Sequence, residues 1–223
     1  MPIDPNSPIE VTAFDWVPPF ARGQVRDLRV RWALEEAGLS YRTRLISARE
    51  RPDWYFKQQP FGQVPYYRDG EVEMFECAAI ALHIGEKSET LLPRDAPRRA
   101  QALTWLLAAM NSIDPHVMNQ VTLEVFCQGQ QWAQLRKPEQ TEMLERRLNQ
   151  LADALGDKPW FAGDFTVADI LMVCTLRTAL NSSAAIPDVL LEYVARGEAR
   201  PAFQAALAAQ MADFIPDEEG VPA

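Results

Sequence analysis

The chain has 223 residues, 48% of them hydrophobic and 24% charged, with a formal net charge of −9. That is enough apolar material to bury the core of one large or two small domains, and the negative surface disfavours nucleic acid and other polyanions as partners. No run of 18 apolar residues occurs, which excludes a helical membrane span on length.

The acidic, proline-containing start predicts no secretory leader. Three widely spaced cysteines, Cys77, Cys127 and Cys174, predict free thiols in a reducing compartment, the cytoplasm. The polar ends, residues 1–8 and 216–223, are expected to fray.

Residues 9–14 read as a strand, with Ile9, Val11 and Phe14 interleaved with polar residues. A proline-rich loop, 15–23, leads to a helix over 24–37 with Gly38 as its stop. Residues 39–47 read as a second strand and 50–58 as a short irregular helix. Residues 64–68, the turn Asp69-Gly70 and residues 71–74 form a hairpin, and 75–85 a helix facing inward with Ile80, Ala81 and Ile84. The order β-α-β-α-β-β-α predicts a thioredoxin-like sheet whose first two strands are joined by a crossover helix.

The polar, proline-containing segment 86–97 reads as a linker. Beyond it the pattern is helical throughout. Leu103, Leu106, Leu107, Met110, Ile113 and Val117 form one apolar stripe, and Leu144, Leu148, Leu151 and Leu155 another. Residues 165–180, 189–194 and 203–211 complete the set. The predicted architecture is therefore α/β plus all-α, with a thioredoxin-like domain at 1–86, a linker at 87–97 and an all-helical domain at 98–223.

Three local patterns then appear in order. The first is Gly62-Gln63-Val64-Pro65, before the hairpin. The second is Phe75-Glu76-Cys77, opening an apolar helix. The third is Phe165-Thr166-Val167-Ala168-Asp169-Ile170, which combines a capping box at Thr166 and Asp169 with a hydrophobic staple of Phe165 and Ile170. With these patterns the chain resembles the cytosolic glutathione transferase superfamily over roughly residues 9–214.

The resemblance implies a cis Val64–Pro65 bond, with the backbone of Val64 pairing with the cysteinyl backbone of glutathione. It implies that the γ-glutamyl carboxylate sits at the start of the helix opening at Cys77, where free N–H groups and the helix dipole favour an anion. Glu76 would take the ammonium group. Gln63, Val64, Pro65, Glu76, Cys77 and Phe20 are thus the expected glutathione-binding residues. Cys77 stands where the family has serine, and a thiol is the weaker donor.

The same resemblance places a Tyr, Ser or Cys after the first strand to ionise the glutathione thiol. Residues 15–23 contain none of these. Positive charge remains, so Arg22 is the expected thiolate-stabilising group, aided by the helix dipole, with Arg177 as a second candidate in the apolar run 170–180. Against this, Arg22, Arg26 and Arg29 are spaced to form a solvated helix face, and Arg177 fits a buried ion pair.

The implied function is nucleophilic addition of the glutathione thiolate to a small apolar electrophile, in detoxification. The second substrate would be lined by Trp16, Pro18, Pro19, Phe20, Met110, His116 and the helix of Arg177. Alternatives are a non-catalytic glutathione- or apolar-ligand-binding protein of the same fold, and a glutathione-dependent peroxidase. Glutathione is a co-substrate; no other cofactor and no metal is expected, since only two histidines occur and they are isolated. The family also implies a homodimer.

Overall fold

The computed structural model describes residues 3–216 and divides into two compact units, Met1–Ser88 together with Arg200–Ala223, and Glu89–Ala199. Of the ends expected to fray, residues 1, 2 and 217–223 lie outside the described residues. Residues 3–8 are tied down: the Asp4 N–H donates to the Tyr41 carbonyl at 2.9 Å and Ser7 Oγ to the Ser40 carbonyl at 2.7 Å.

The first unit holds a four-stranded sheet in the order β2-β1-β3-β4. Strand β1 (Ile9–Phe14) pairs parallel with β2 (Arg42–Ile46) and antiparallel with β3 (Tyr66–Asp69), which pairs antiparallel with β4 (Val72–Phe75). The thioredoxin-like arrangement expected from the sequence is present. The hairpin turn sits one residue later than expected: Asp69 pairs with Val72, and Gly70 takes φ 61° as the first loop residue, where glycine has no Cβ to clash.

Helix α1 (Asp27–Ala37) makes the crossover and stops at Gly38, which is left-handed at φ 65°. It begins three residues later than the sequence pattern suggests. Gly23, at φ 74°, puts a turn into the preceding segment, which hydrogen-bonds as short turns instead of a helix. Helix α2 (Cys77–Gly85) packs beside α1.

All residues from Asp27 to Leu34 are buried, so α1 has no solvated face over its first two turns. Arg29 is only 4% exposed, which corrects its place in the expected solvated face of Arg22, Arg26 and Arg29; Arg31 is 0% exposed. Both α2 and α8 (Pro201–Ala212) pack against α1. Arg31 Nε donates to Asp27 Oδ2 at 2.7 Å and its Nη2 to Asp213 Oδ2 at 2.5 Å. Gln210 Nε2 donates to Asp27 Oδ1 at 2.7 Å. At the other end Arg200 donates twice to Glu36, and Phe203 meets Trp32 edge-on at 4.9 Å. Residues 200–216 therefore group with the sheet, although their sequence reads as a continuation of the helical domain.

The second unit contains α3 (Ala96–Ala108), α4 (Asp114–Val121), α5 (Gln131–Leu155), α6 (Val167–Ala179) and α7 (Asp188–Glu198). The stripe from Leu103 to Val117 is not one regular helix. A wide i→i+5 turn over Ala109–Ile113 separates α3 from α4, just before Pro115, which has no N–H for the regular ladder. Leu144, Leu148, Leu151 and Leu155 are buried along α5, as the stripe predicts.

Helix α6 is the core of this unit, buried from Val167 to Leu176. Its capping box is formed. Asp169, fully buried, accepts from the Thr166 N–H at 2.9 Å, the Tyr193 hydroxyl at 2.7 Å and the Phe161 N–H at 3.2 Å. Burial lifts its carboxyl above the usual range, and those hydrogen bonds pull it back. Among the described residues no helix is long and apolar enough to cross a membrane.

Candidate functional site

The first unit brings together most of the residues singled out by sequence. The Val64–Pro65 bond is cis. Val64 itself is buried against Ile46, Tyr55 and Tyr66, with Phe14 and Val25 alongside. The preceding carbonyl, of Gln63, accepts from the Tyr55 hydroxyl at 2.7 Å, which fixes the approach to the bond. Burial raises the Tyr55 hydroxyl far above its usual pKa, so it is a donor and not a base.

The β3–β4 hairpin then does the positioning. Tyr66 pairs with Phe75, so the next step of the register sets Pro65 alongside Glu76. Two motifs ten residues apart thereby meet at one edge of the sheet.

Glu76 has φ 73° and is the one non-glycine residue with positive φ among those described. An L-residue in that region costs about 1–2 kcal/mol, and such strain concentrates at functional sites. Here it turns the chain sharply from β4 into α2 and leaves the Glu76 side chain exposed at the helix start. Cys77, the first residue of α2, is 2% exposed. Arg29 Nη1 lies 3.6 Å from its sulfur, so a buried guanidinium from α1 stands behind the helix N-terminus. The sequence pattern did not point to Arg29, because its i, i+4, i+7 spacing with Arg22 looks like a solvated face.

At the carboxyl ends of the two parallel strands, the Asp15 N–H donates to the Ile46 carbonyl at 3.1 Å, and the loops diverge from there. This is the customary place for ligands on a parallel sheet. Ser47 Oγ accepts from the N–H groups of Arg49 and Glu50, both at 3.2 Å, folding the second loop back. The Arg49 guanidinium lies 4.0 Å from the centre of the Trp16 ring and that of Arg51 5.1 Å from the Phe14 ring. Both arginines escaped sequence reasoning: aromatic stacking partners that lie over 30 residues away leave no local signal. A pocket of about 120 Å³ opens here, lined by Asp15, Trp16, Ser47, Arg49, Ile215 and Pro216.

Arg22 follows the short 3₁₀ turn Pro19–Ala21, with its guanidinium carbon 5.9 Å from the centre of the Phe214 ring. Phe20 projects into solvent at 55% exposure.

The fold and these motifs agree with comparisons to known proteins. The family model described as glutathione S-transferase, N-terminal domain, matches residues 20–86. Glutathione S-transferase 4 of Zea mays is 30% identical over 204 residues, covering 85% of this chain and 88% of that protein. The chain belongs to the glutathione S-transferase family.

Among solved family structures, a glutathione transferase of Pseudomonas putida with one glutathione disulfide bound per subunit superposes at TM-score 0.77. It is 20% identical, covering 89% of this chain and 90% of that one. The glutathione S-transferase of Xylella fastidiosa gives the same TM-score and identity over 93% and 100%. At this identity the two structures speak for the fold.

The remaining candidates of this transferase lie in the helical unit. Arg177, on α6, is 11% exposed on its side chain and donates from Nε to Glu198 Oε1 at 2.6 Å, the last residue of α7. Its charge in an apolar run is therefore matched within that unit. Met110 lies in the wide turn between α3 and α4, and His116 in the first turn of α4, where burial lowers the imidazole pKa. Among the described residues no group of three or more His, Cys, Asp or Glu side chains is placed to hold a metal ion.

Proposed function

We propose that this family member binds glutathione along Val64 and at the start of α2, holds its thiol as a thiolate beside Arg22, and transfers it to a small apolar electrophile. The observation that carries the reading is the juxtaposition of Val64–Pro65 with Glu76 and Cys77 across one hairpin register. It sets an extended backbone edge, a carboxylate and a helix N-terminus side by side, chemistry that suits a peptide carrying an ammonium group and carboxylates.

In this reading Gln63 and Val64 meet the peptide backbone, and Glu76 takes the ammonium group. The N–H of Cys77 and the α2 dipole take the γ-glutamyl carboxylate, with Arg29 behind them. Cys77 contributes its backbone, so the serine-to-cysteine exchange weakens this contact without abolishing it. The loop after β1 supplies charge in place of a hydroxyl. The thiol proton leaves to solvent, and the guanidinium of Arg22 stabilises the thiolate left behind. The sulfur electron pair then forms the C–S bond, and the electrophile releases its leaving group with the bonding electrons or takes a proton from water.

Phe20 and Trp16 shape the approach to the sulfur. Arg177, matched to Glu198 on α7, is the second sequence candidate for thiolate stabilisation. Glutathione acts as co-substrate, with no further cofactor. A homodimer and a cytoplasmic location complete the proposal.

The test is the ultraviolet absorbance of the thiolate of bound glutathione against pH, for wild type, Arg22→Ala and Arg177→Ala. A thiol pKa below the solution value in wild type, returned toward it by Arg22→Ala, supports the proposal. Binding without ionisation supports the non-catalytic binding protein. An unchanged pKa in both variants refutes activation by arginine.

A further inference from the structure

One cation joins the loop after β2 to the loop after β1. Ser47 Oγ accepts from the Arg49 N–H at 3.2 Å, which pins the base of the side chain. The guanidinium carbon lies 4.0 Å from the centre of the Trp16 ring. At that distance the cation meets the ring by its face, and the N–H donors at the edge of its plane stay available. Among the described residues Arg49 forms no ion pair, although the chain carries a net charge of −9. It lines the pocket of about 120 Å³ together with Asp15, Trp16, Ser47, Ile215 and Pro216. That is room for a carboxyl group and part of a small ring.

We infer that this pocket takes a carboxylate of the second substrate, so that the electrophile is an apolar molecule bearing an acidic group and Arg49 is a specificity-determining residue. The inference rests on the reading of the chain as a transferase with Trp16 beside the approach to the sulfur. Stacking restrains the long arginine side chain before a ligand arrives, which lowers the ordering cost of binding. The guanidinium fork then meets both oxygens of a carboxylate in one plane. Asp15 lines the same pocket and repels an anion, so the carboxylate is confined to the Arg49 edge, while Trp16, Ile215 and Pro216 cover the apolar body. Glutathione carries a glycyl carboxylate of its own, but that end needs no apolar wall. The three apolar residues favour the second substrate.

The experiment uses the whole protein with dinitrobenzoate and dinitrobenzamide, an unreactive pair of one shape that differs in charge. It also uses the same two compounds carrying a chlorine, which the glutathione thiolate displaces as chloride. Calorimetry reads affinity for the unreactive pair and, separately, for glutathione. Turnover of the chlorinated pair is corrected for the uncatalysed rates, and thermal melting follows folding. Wild type is expected to bind the benzoate about tenfold more tightly than the benzamide, the worth of one charge-assisted pair at a partly exposed site. Arg49→Met should abolish that preference. Arg49→Lys, which keeps the charge without the fork, should keep part of it. The chlorinated pair should show the same ratios in kcat/KM, and both variants should hold their affinity for glutathione.

Equal affinity of wild type for the two unreactive compounds overturns the inference, and so does a preference that survives Arg49→Met. A loss of glutathione affinity in Arg49→Met overturns it too, by assigning the guanidinium to the glycyl carboxylate. No turnover of either chlorinated compound, with the benzoate preference intact, overturns the transferase reading and supports the pocket as an acid-binding site.

Discussion

Replacing Arg31 with alanine removes the cation at the centre of the α1–α8 contact. Arg31 has no exposed side-chain surface and its partner Asp27 only 1%. The substitution leaves the Asp27 carboxyl buried beside Gln210 without its counter-charge, and cuts the tie to Asp213. Breaking a buried pair by deleting one partner costs about 3–5 kcal/mol, against about 5–15 kcal/mol for a whole domain.

The pH dependence has a definite sign. Burial already raises the Asp27 carboxyl above its ordinary value, with Arg31 and the Gln210 hydrogen bond pulling it back down. Without Arg31 the folded-state value rises further above the unfolded one. The contribution of such a group is fully present below the unfolded pKa and is lost as pH rises through the folded pKa. Arg31→Ala is therefore least destabilised at acid pH, where Asp27 holds its proton, and most at neutral pH. Urea unfolding of wild type and variant at mildly acidic and neutral pH reads the difference directly. Asp27→Asn combined with Arg31→Met, a neutral pair of similar size, should recover most of the loss. A deficit below about 1 kcal/mol, or one that does not change with pH, would refute the account of α8 docking.

Two further outcomes follow from close packing and from backbone strain. A Cβ on Gly197 would lie 2.7 Å from Cγ2 of Val173, where α7 crosses α6. Gly197→Ala should therefore destabilise by about 1–3 kcal/mol in thermal or urea unfolding, and a neutral result would mean the two helices can part at little cost. Glu76→Gly relieves the positive φ while deleting the carboxylate proposed to take the ammonium group of glutathione. Its melting temperature should hold or rise while glutathione affinity falls about tenfold, the worth of one charge-assisted hydrogen bond; unchanged affinity would remove Glu76 from the site.

Much of this architecture is local and therefore legible in the chain. The strand Ile9–Phe14 forms where its β-rich residues predict, although it is buried on both faces over Val11–Ala13; Gly38 ends α1 in the left-handed region, and Thr166 with Asp169 closes a capping box at α6. Each depends on contacts within a few residues. The Val64–Pro65 and Glu76–Cys77 motifs were also visible, as was the hairpin that brings them together.

What the sequence by itself determined, then, is the family, the order of the elements and the motif residues of the glutathione-type site. Periodicity, caps and turns record interactions over a few positions and suffice for the order of elements; the family and its motif residues follow from the resemblance those motifs carry. Tertiary structure decided the rest. Arg29 looks like part of a solvated face until α2 sets Cys77 against it, and Arg177 looks like a lone charge until α7 brings Glu198 to it. Arg49 gains its aromatic partner only when two strand ends meet, and Phe214 reaches Arg22 only because a buried ion pair folds the end of the described chain back onto its beginning. A charged side chain carries no local mark of its partner: the same arginine is solvated, buried or at the site according to which distant carboxylate or ring the fold sets against it.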